Sequence, residues 1–305
     1  MNCNEDAKVI ETNTEASISK LSCVAAGYYE DKYIRSMVKS VTRRNPIINL
    51  GYAIRVDVFR NLVRSFVSVY QNSQIISLGA GSDTLGFWIL EHFQNLHVFE
   101  LDYASVVVNK SKMMESHSSI FQNISNLSDR LHLIPCDLRS STDNLPESLK
   151  RSGFDPSKPC LFLAECVLIY LDRFVNDSIT TFIASSVTDS STPVYFASYD
   201  QVNPNDAFGR IMMNNLDARG CSLRSIENDT VSQASRLSRL GFSRVRVEHM
   251  SHFTTRCAAK RPEIIDEVEE LNLLQDHYMF SLASSRAKDT DCDLVTRTVF
   301  FEQCS

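Results

Sequence analysis

Residues 75–84 read Ile75-Ile76-Ser77-Leu78-Gly79-Ala80-Gly81-Ser82-Asp83-Thr84, an apolar run that enters a glycine turn. An acidic pair, Glu100 and Asp102, closes the next apolar run, about twenty residues on, the distance at which a ribose-binding carboxylate follows such a turn. Buried strand, Gly79-x-Gly81 turn, helix, strand and carboxylate is how an α/β sheet holds a nucleoside. The glycines let the backbone pass close to the ligand, and the carboxylate takes the ribose hydroxyls. The third glycine of the dinucleotide fingerprint is missing, and Ser82-Asp83 stand at the helix entrance. A carboxylate there disfavours a pyrophosphate at the helix N-terminus. The pattern points to a nucleoside without phosphates, S-adenosylmethionine above all.

Working outward, apolar runs at 74–78, 96–101, 131–136, 160–166 and 194–199 predict five strands alternating with helices. Two more are expected at 243–250 and 276–283, the last pair matching an antiparallel edge hairpin. The expected fold class is α/β, a doubly wound, seven-stranded, mostly parallel sheet, whose edge pair is compatible with that of class I methyltransferases. Asp172 reads as the N-cap of a helix whose Phe174, Val175, Ile179, Phe182 and Ile183 face the sheet. Ahead of the sheet, helices are expected over 15–26, 28–41 and 54–70. The expected organisation is a disordered tail at 1–14, a helical lid at 15–73, a methyltransferase domain at 74–286 with a substrate-binding insertion near 203–228, and a tail at 287–305. Lid and insertion exceed what a core needs, and both belong over the strand C-termini, where ligands bind.

Composition excludes several classes. Hydrophobic content of 43% and charged content of 22% suit a soluble enzyme. Nine irregularly spaced cysteines without Cys-x-x-Cys argue against a zinc ribbon or a disulfide framework and favour a reducing compartment. The polar start, Met1-Asn2-Cys3-Asn4-Glu5-Asp6, is unlike a signal peptide, and no apolar run reaches a membrane span, so a cytoplasmic protein is expected. Between Lys20 and Arg64, nine basic residues face three acidic ones, a local balance of +6 in a chain of net charge −6. That zone suits an acidic small molecule or a carboxylate-bearing tail. Nucleic acid is disfavoured, since no aromatics interleave with a basic stripe. No metal is expected, because His249 and His252 have no third ligand nearby in the sequence.

Three lid and turn stretches then occur in order: Ser19-Lys20-Leu21-Ser22-Cys23 with Gly27–Tyr33, Ile48–Arg55, and Leu78–Thr84. Phe99–Tyr103, Cys136-Asp137-Leu138-Arg139 and Ala164–Leu171 follow, then Tyr199-Asp200-Gln201 with Asp206–Gly209, and Arg219–Leu223. Together, from about residue 12 to 284, these resemble the leucine carboxyl methyltransferase family, which methylates the C-terminal leucine of the type 2A protein phosphatase catalytic subunit. The resemblance implies S-adenosylmethionine as cofactor, S-adenosylhomocysteine as product, and the phosphatase tail as partner of a monomer. Cofactor contacts implied are Lys20, Arg55, Gly79, Gly81, Asp102, Asp137, Leu138 and Glu165, with Arg55 and Tyr170 orienting the substrate carboxylate. Glu165 is conspicuous without any family: a carboxylate ending the apolar strand Leu161-Phe162-Leu163-Ala164 costs several kcal/mol if unpaired. Arg55 has the fork geometry for a bidentate carboxylate.

Leu50 stands where many relatives have arginine, Asp200 where they have glutamate, and Val268–Asn272 lacks the usual Trp-His. These departures bear on the substrate groove. The competing readings are a wybutosine-tRNA carboxyl methyltransferase, disfavoured by the short stretch after residue 284 and the lack of repeats, and a small-molecule O-methyltransferase, which lacks the insertion. A catalytically dead phosphatase-binding scaffold and an NAD-dependent oxidoreductase complete the set.

Overall fold

The computed structural model describes residues 3–38, 40–139, 144–187, 192–255 and 261–301. In chain order the elements are α1 (Cys3–Ala25), α2 (Ile34–Met37), α3 (Pro46–Val69), β1 (Gln74–Leu78), α4 (Leu85–His92), β2 (His97–Asp102) and α5 (Ala104–Ser116). Then come α6 (Leu127–Arg130), β3 (Leu131–Pro135), α7 (Asn144–Arg151), β4 (Cys160–Glu165), α8 (Arg173–Ala184) and β5 (Val194–Gln201). The chain continues with α9 (Ala207–Ala218), α10 (Thr230–Arg239), β6 (Arg244–His249), α11 (Ser251–Thr254), α12 (Val268–Asp276), β7 (Tyr278–Ser285) and α13 (Asp289–Phe300).

The seven strands form one sheet in the order β3-β2-β1-β4-β5-β7-β6. β1 pairs in parallel with β2 and β4, which continue in parallel to β3 and β5. β7 runs antiparallel between β5 and β6. The central strands carry apolar side chains on both faces, as helices cover both. On one face, Phe59, Leu62 and Phe66 of α3 pack with Ile75, Val98 and Leu161. On the other, Leu145, Ile179, Ile183 and Leu237 pack with Ile76, Phe99 and Phe162. The order reverses direction between β1 and β4, the switch point at whose strand C-termini such sheets form their ligand crevice.

Four expectations need correction. Residues 3–14 are not a disordered tail but the first half of α1. The long-range anchors explain it: Cys221 Sγ approaches Lys8 O at 3.5 Å and Asn13 bonds to Ser82, contacts that no local pattern announces. Likewise, most of the stretch taken for a tail at 287–305 is α13, packed against α3. The helix expected over 28–41 shrinks to α2, because Gly27 turns the chain at φ +91° and Asp31 Oδ1 accepts the Tyr33 and Ile34 amides. Phe174 is 78% exposed rather than facing the sheet, since α8 buries the face of Asn176, Ile179, Thr180 and Ile183. Among the described residues no helix is long and apolar enough to cross a membrane.

Candidate active site

The candidate site at these strand ends is built from separate pieces of chain. β1 delivers the glycine turn, with Gly79 and Gly81 at φ +60° and +55°. Both positions are also crowded: a Cβ on Gly79 would lie 2.6 Å from Val167 Cγ1, and one on Gly81 would overlap Asn13 Oδ1. Glycine is needed there for conformation and for space. Across the crevice, β4 ends at Glu165, and α1 and α3 bring Lys20 and Arg55 to it.

Lys20 Nζ lies 3.1 Å from Glu165 Oε1 and 2.8 Å from Asp83 Oδ1, and Arg55 Nε donates to Glu165 Oε1. The side chains of Lys20 and Arg55 are only 7% and 9% exposed, Glu165 16% and Asp83 21%, so this is a desolvated cluster of two cations and two anions. Burial works against the charge on Lys20, yet Asp83 and Glu165 hold its ammonium pKa above the ordinary value. Burial likewise opposes ionisation of Asp83, and Lys20 nevertheless keeps its carboxyl below the usual range. The Arg55 guanidinium is further sandwiched, 4.5 Å from the ring centre of Tyr199 and 5.2 Å from that of Tyr52.

Of the two acidic candidates on β2, only Asp102 reaches the crevice. Glu100 is buried beneath α5 and paired with Lys110, whose ammonium also donates to Asp83 O at 2.6 Å. Asp102 accepts Gly81 N–H and Tyr103 N–H, each at 2.7 Å, one on each oxygen. Both oxygens keep lone pairs for hydroxyl donors. Burial raises the Asp102 pKa, and these two amides oppose the shift.

Every amide from Ala80 to Thr84 is paired within the protein. Ala80 donates to Leu101 O, Gly81 to Asp102, Ser82 to Asn13 Oδ1, Asp83 to Ala80 O and Thr84 to Asp83 Oδ1. This corrects the physical reason for excluding a pyrophosphate. Asp83 does not repel it as a lone carboxylate, because Lys20 pairs that charge; the turn amides from Ala80 to Thr84 are already engaged. What remains suits a nucleoside bearing a zwitterionic amino-acid head: a carboxylate at Asp102 for the ribose, and matched cations and anions at Lys20, Arg55, Asp83 and Glu165.

Asp137 and Leu138 follow β3. The Asp137 carboxylate is held by Arg139 Nη2 at 2.8 Å, and the arginine overcomes burial to keep its pKa low. Asp137 is thus committed to Arg139, whose guanidinium also covers the Tyr103 ring, while Leu138 packs on the apolar cluster beneath the sheet. Tyr170 stands on a single 3-10 turn, Leu168–Tyr170, just beyond β4. Burial raises its phenol pKa well above the ordinary value, with Arg55 opposing, so the hydroxyl keeps its proton.

A family model described as leucine carboxyl methyltransferase matches residues 9–184. The chain is 37% identical to the leucine carboxyl methyltransferase 1 homolog of Arabidopsis thaliana, over 92% of this chain and 90% of that one. This chain belongs to the leucine carboxyl methyltransferase family. As a member it is an enzyme that methylates carboxyl groups. The tRNA wybutosine-synthesizing protein 4 of Rattus norvegicus is also similar, at 30% identity over 96% of this chain but 45% of its own length. Among solved structures, a putative methyltransferase from Thermobifida fusca shares the fold at a TM-score of 0.50 and 13% identity, covering 84% of this chain and 94% of that one.

Sequence reasoning missed two residues that the structure brings to this candidate site. Asn13 fell in the supposed tail, and Tyr199 was quoted only as part of a motif. Asn13 carries no local signal, since its partner Ser82 lies 69 residues away. Tyr199 could have been inferred from the parallel pairing of β4 with β5, which sets it directly beside Glu165.

Proposed function

We propose that this methyltransferase transfers a methyl group from S-adenosylmethionine to the C-terminal leucine α-carboxylate of the type 2A protein phosphatase catalytic subunit. The observation that carries the reading is the buried Lys20–Glu165–Arg55 cluster at the crevice between β1 and β4. S-adenosylmethionine would supply an activated methyl group. Gly79 and Gly81 would let the nucleoside approach, Asp102 would take its ribose, and the Asp137-Leu138 segment would border its adenine. Lys20 and Glu165 would hold the amino-acid head.

An α-carboxylate has a pKa of roughly 3.3–3.7 and reaches the enzyme already ionised. No side chain need remove a proton, and the enzyme's task is alignment and exclusion of water. Arg55, with its fork braced by Tyr199 and Tyr52, and the Tyr170 hydroxyl would orient that carboxylate. Engaging one oxygen leaves the other free to attack.

Labelled methyl transfer tests the reading. A phosphatase ending in free leucine should accept label, while one ending in leucinamide or lacking the leucine should not. Turnover should stay nearly flat between about pH 6.5 and about 8.5, since no catalytic base titrates there. A tenfold rise per pH unit would instead indicate a hydroxyl or amine acceptor. The competing tRNA-carboxyl reading requires label in wybutosine-precursor tRNA and none in the phosphatase.

A further inference from the structure

We infer that Asn176 and Ser225 are positioning residues that set the place of the Tyr170 hydroxyl. The inference rests on the assignment of Tyr170 to the substrate carboxylate. Tyr170 sits outside the sheet ladder, on one 3-10 turn that follows Cys166 at φ +55°. Within the turn only two backbone bonds recur, Tyr170 N–H to Val167 O at 3.2 Å and Leu171 N–H to Leu168 O at 3.1 Å. So short a turn cannot fix a side chain to the few tenths of an ångström that orientation demands.

The turn is instead fastened from outside, through its carbonyls. Leu168 O accepts Asn176 Nδ2 at 3.1 Å and Ser225 Oγ at 3.0 Å. Ile169 O accepts the amides of Arg224 and Ser225 at 2.9 and 3.1 Å. Asn176 comes from α8, and Ser225 from the end of the insertion between β5 and α10, so two distant segments converge on the residues next to Tyr170. Both side chains are buried.

The donors and acceptors run in one consistent direction. Arg236, anchored by Asp177 at 2.7 Å, donates to Asn176 Oδ1 at 2.7 Å, which fixes the amide orientation. Asn176 Nδ2 then donates to Ser225 Oγ at 2.8 Å, leaving the hydroxyl proton for Leu168 O. A chain from α10 through α8 to the insertion therefore ends on the Tyr170 turn, and among the described residues its hydrogen bonds do not involve Lys20, Arg55, Asp102 or Glu165.

The test uses the full-length enzyme, labelled methyl transfer to the phosphatase catalytic subunit, and calorimetry with S-adenosylhomocysteine. Ser225→Ala and Asn176→Asp, folded by circular dichroism, should each lower kcat by about threefold or more, with KM and S-adenosylhomocysteine affinity within about twofold of wild type. Ser225→Thr keeps the hydroxyl and should recover most of the rate. In a Tyr170→Phe background, Ser225→Ala should cost nothing further, because a positioning residue acts only through what it positions. An additive loss in that background, or full activity of Ser225→Ala, overturns the inference. Should Asn176→Asp fail to fold, Ser225→Ala decides alone. Full activity of Tyr170→Phe would overturn the assignment of Tyr170 itself, a result distinct from additivity, and this inference with it.

Discussion

Glu165 can end an apolar strand as a carboxylate because Lys20 and Arg55 reach it from two different helices. Removing one cation leaves a desolvated anion short of a partner, a loss of about 2–5 kcal/mol for truncated buried charge pairs. Arg55→Ala should therefore lower methyl transfer by more than about thirtyfold with circular dichroism unchanged, and Arg55→Lys, which keeps charge without the fork, should recover only part. Near-wild-type turnover in Arg55→Ala would show that other residues hold the anion. Asp200 is the opposite case. It is buried on β5, its Oδ1 has no hydrogen-bond partner among the described residues, and burial, opposed by Ser198 and Arg236, pushes its pKa up to about 6. A carboxyl raised in the fold binds its proton more tightly there than when unfolded, so it subtracts stability as pH climbs from its ordinary value through 6. Asp200→Asn should then be more stable than wild type by about 1–3 kcal/mol at pH 7.5, with the difference fading toward pH 4 in urea titrations. Glu165 stood out in the sequence as a charge closing an apolar strand, whereas Arg55 was singled out by the resemblance and was placed at a helix start, though α3 already begins at Pro46. Asn13 was not legible, because only the folded path brings it to Ser82.

At the scale of elements, the parallel strands were legible to within two residues at either end, since strands covered on both faces read as unbroken apolar runs. The helices ahead of the sheet were less so. α1 is polar along its first half and is held by what it covers, the glycine turn and the insertion, rather than by its own pattern. Asn13 accepts the Ser82 amide at 2.7 Å and returns a bond to Ser82 Oγ at 3.1 Å, so α1 and the glycine turn are one unit. Gly81→Ala should break that unit twice, through the left-handed backbone, which costs about 1–2 kcal/mol, and through overlap with Asn13. S-adenosylhomocysteine affinity should fall at least about tenfold. Adding Asn13→Ala removes the overlap and leaves the backbone strain, so calorimetry on the double variant should show partial recovery. Complete recovery would mean that the left-handed turn is not needed for binding.

Across the described residues, the first and last helices, α1 and α13, both contribute to the core around α3. α3 lies against the sheet, and α1 and α13 both pack on α3, so the helix that carries Arg55 is held between the N-terminal and C-terminal segments. The stretch after residue 286 was expected to be a tail, yet one face of α13 buries Cys292, Val295, Val299 and Phe300, while Leu294 and Phe301 stay exposed. Phe300 is central: its ring centre lies 5.5 Å from that of Phe253 and 5.8 Å from that of Phe280, and its carbonyl faces His252 Nε2 at 2.9 Å. Phe280 in turn meets Phe59 of α3 edge-on, four residues along from Arg55. Phe300→Ala should destabilise the protein by about 3–5 kcal/mol, the usual cost of emptying a buried aromatic site. In a thermal melt that is roughly 2–4 °C for each kcal/mol in a chain of this class. Because the cavity would open behind α3, activity measured well below the melting point should fall as well, through a looser Arg55, while Leu294→Ala on the exposed side of α13 should change neither. A Phe300→Ala protein that melts with the wild type would mean that α13 contributes nothing to the core, and that the stretch behaves as a tail after all.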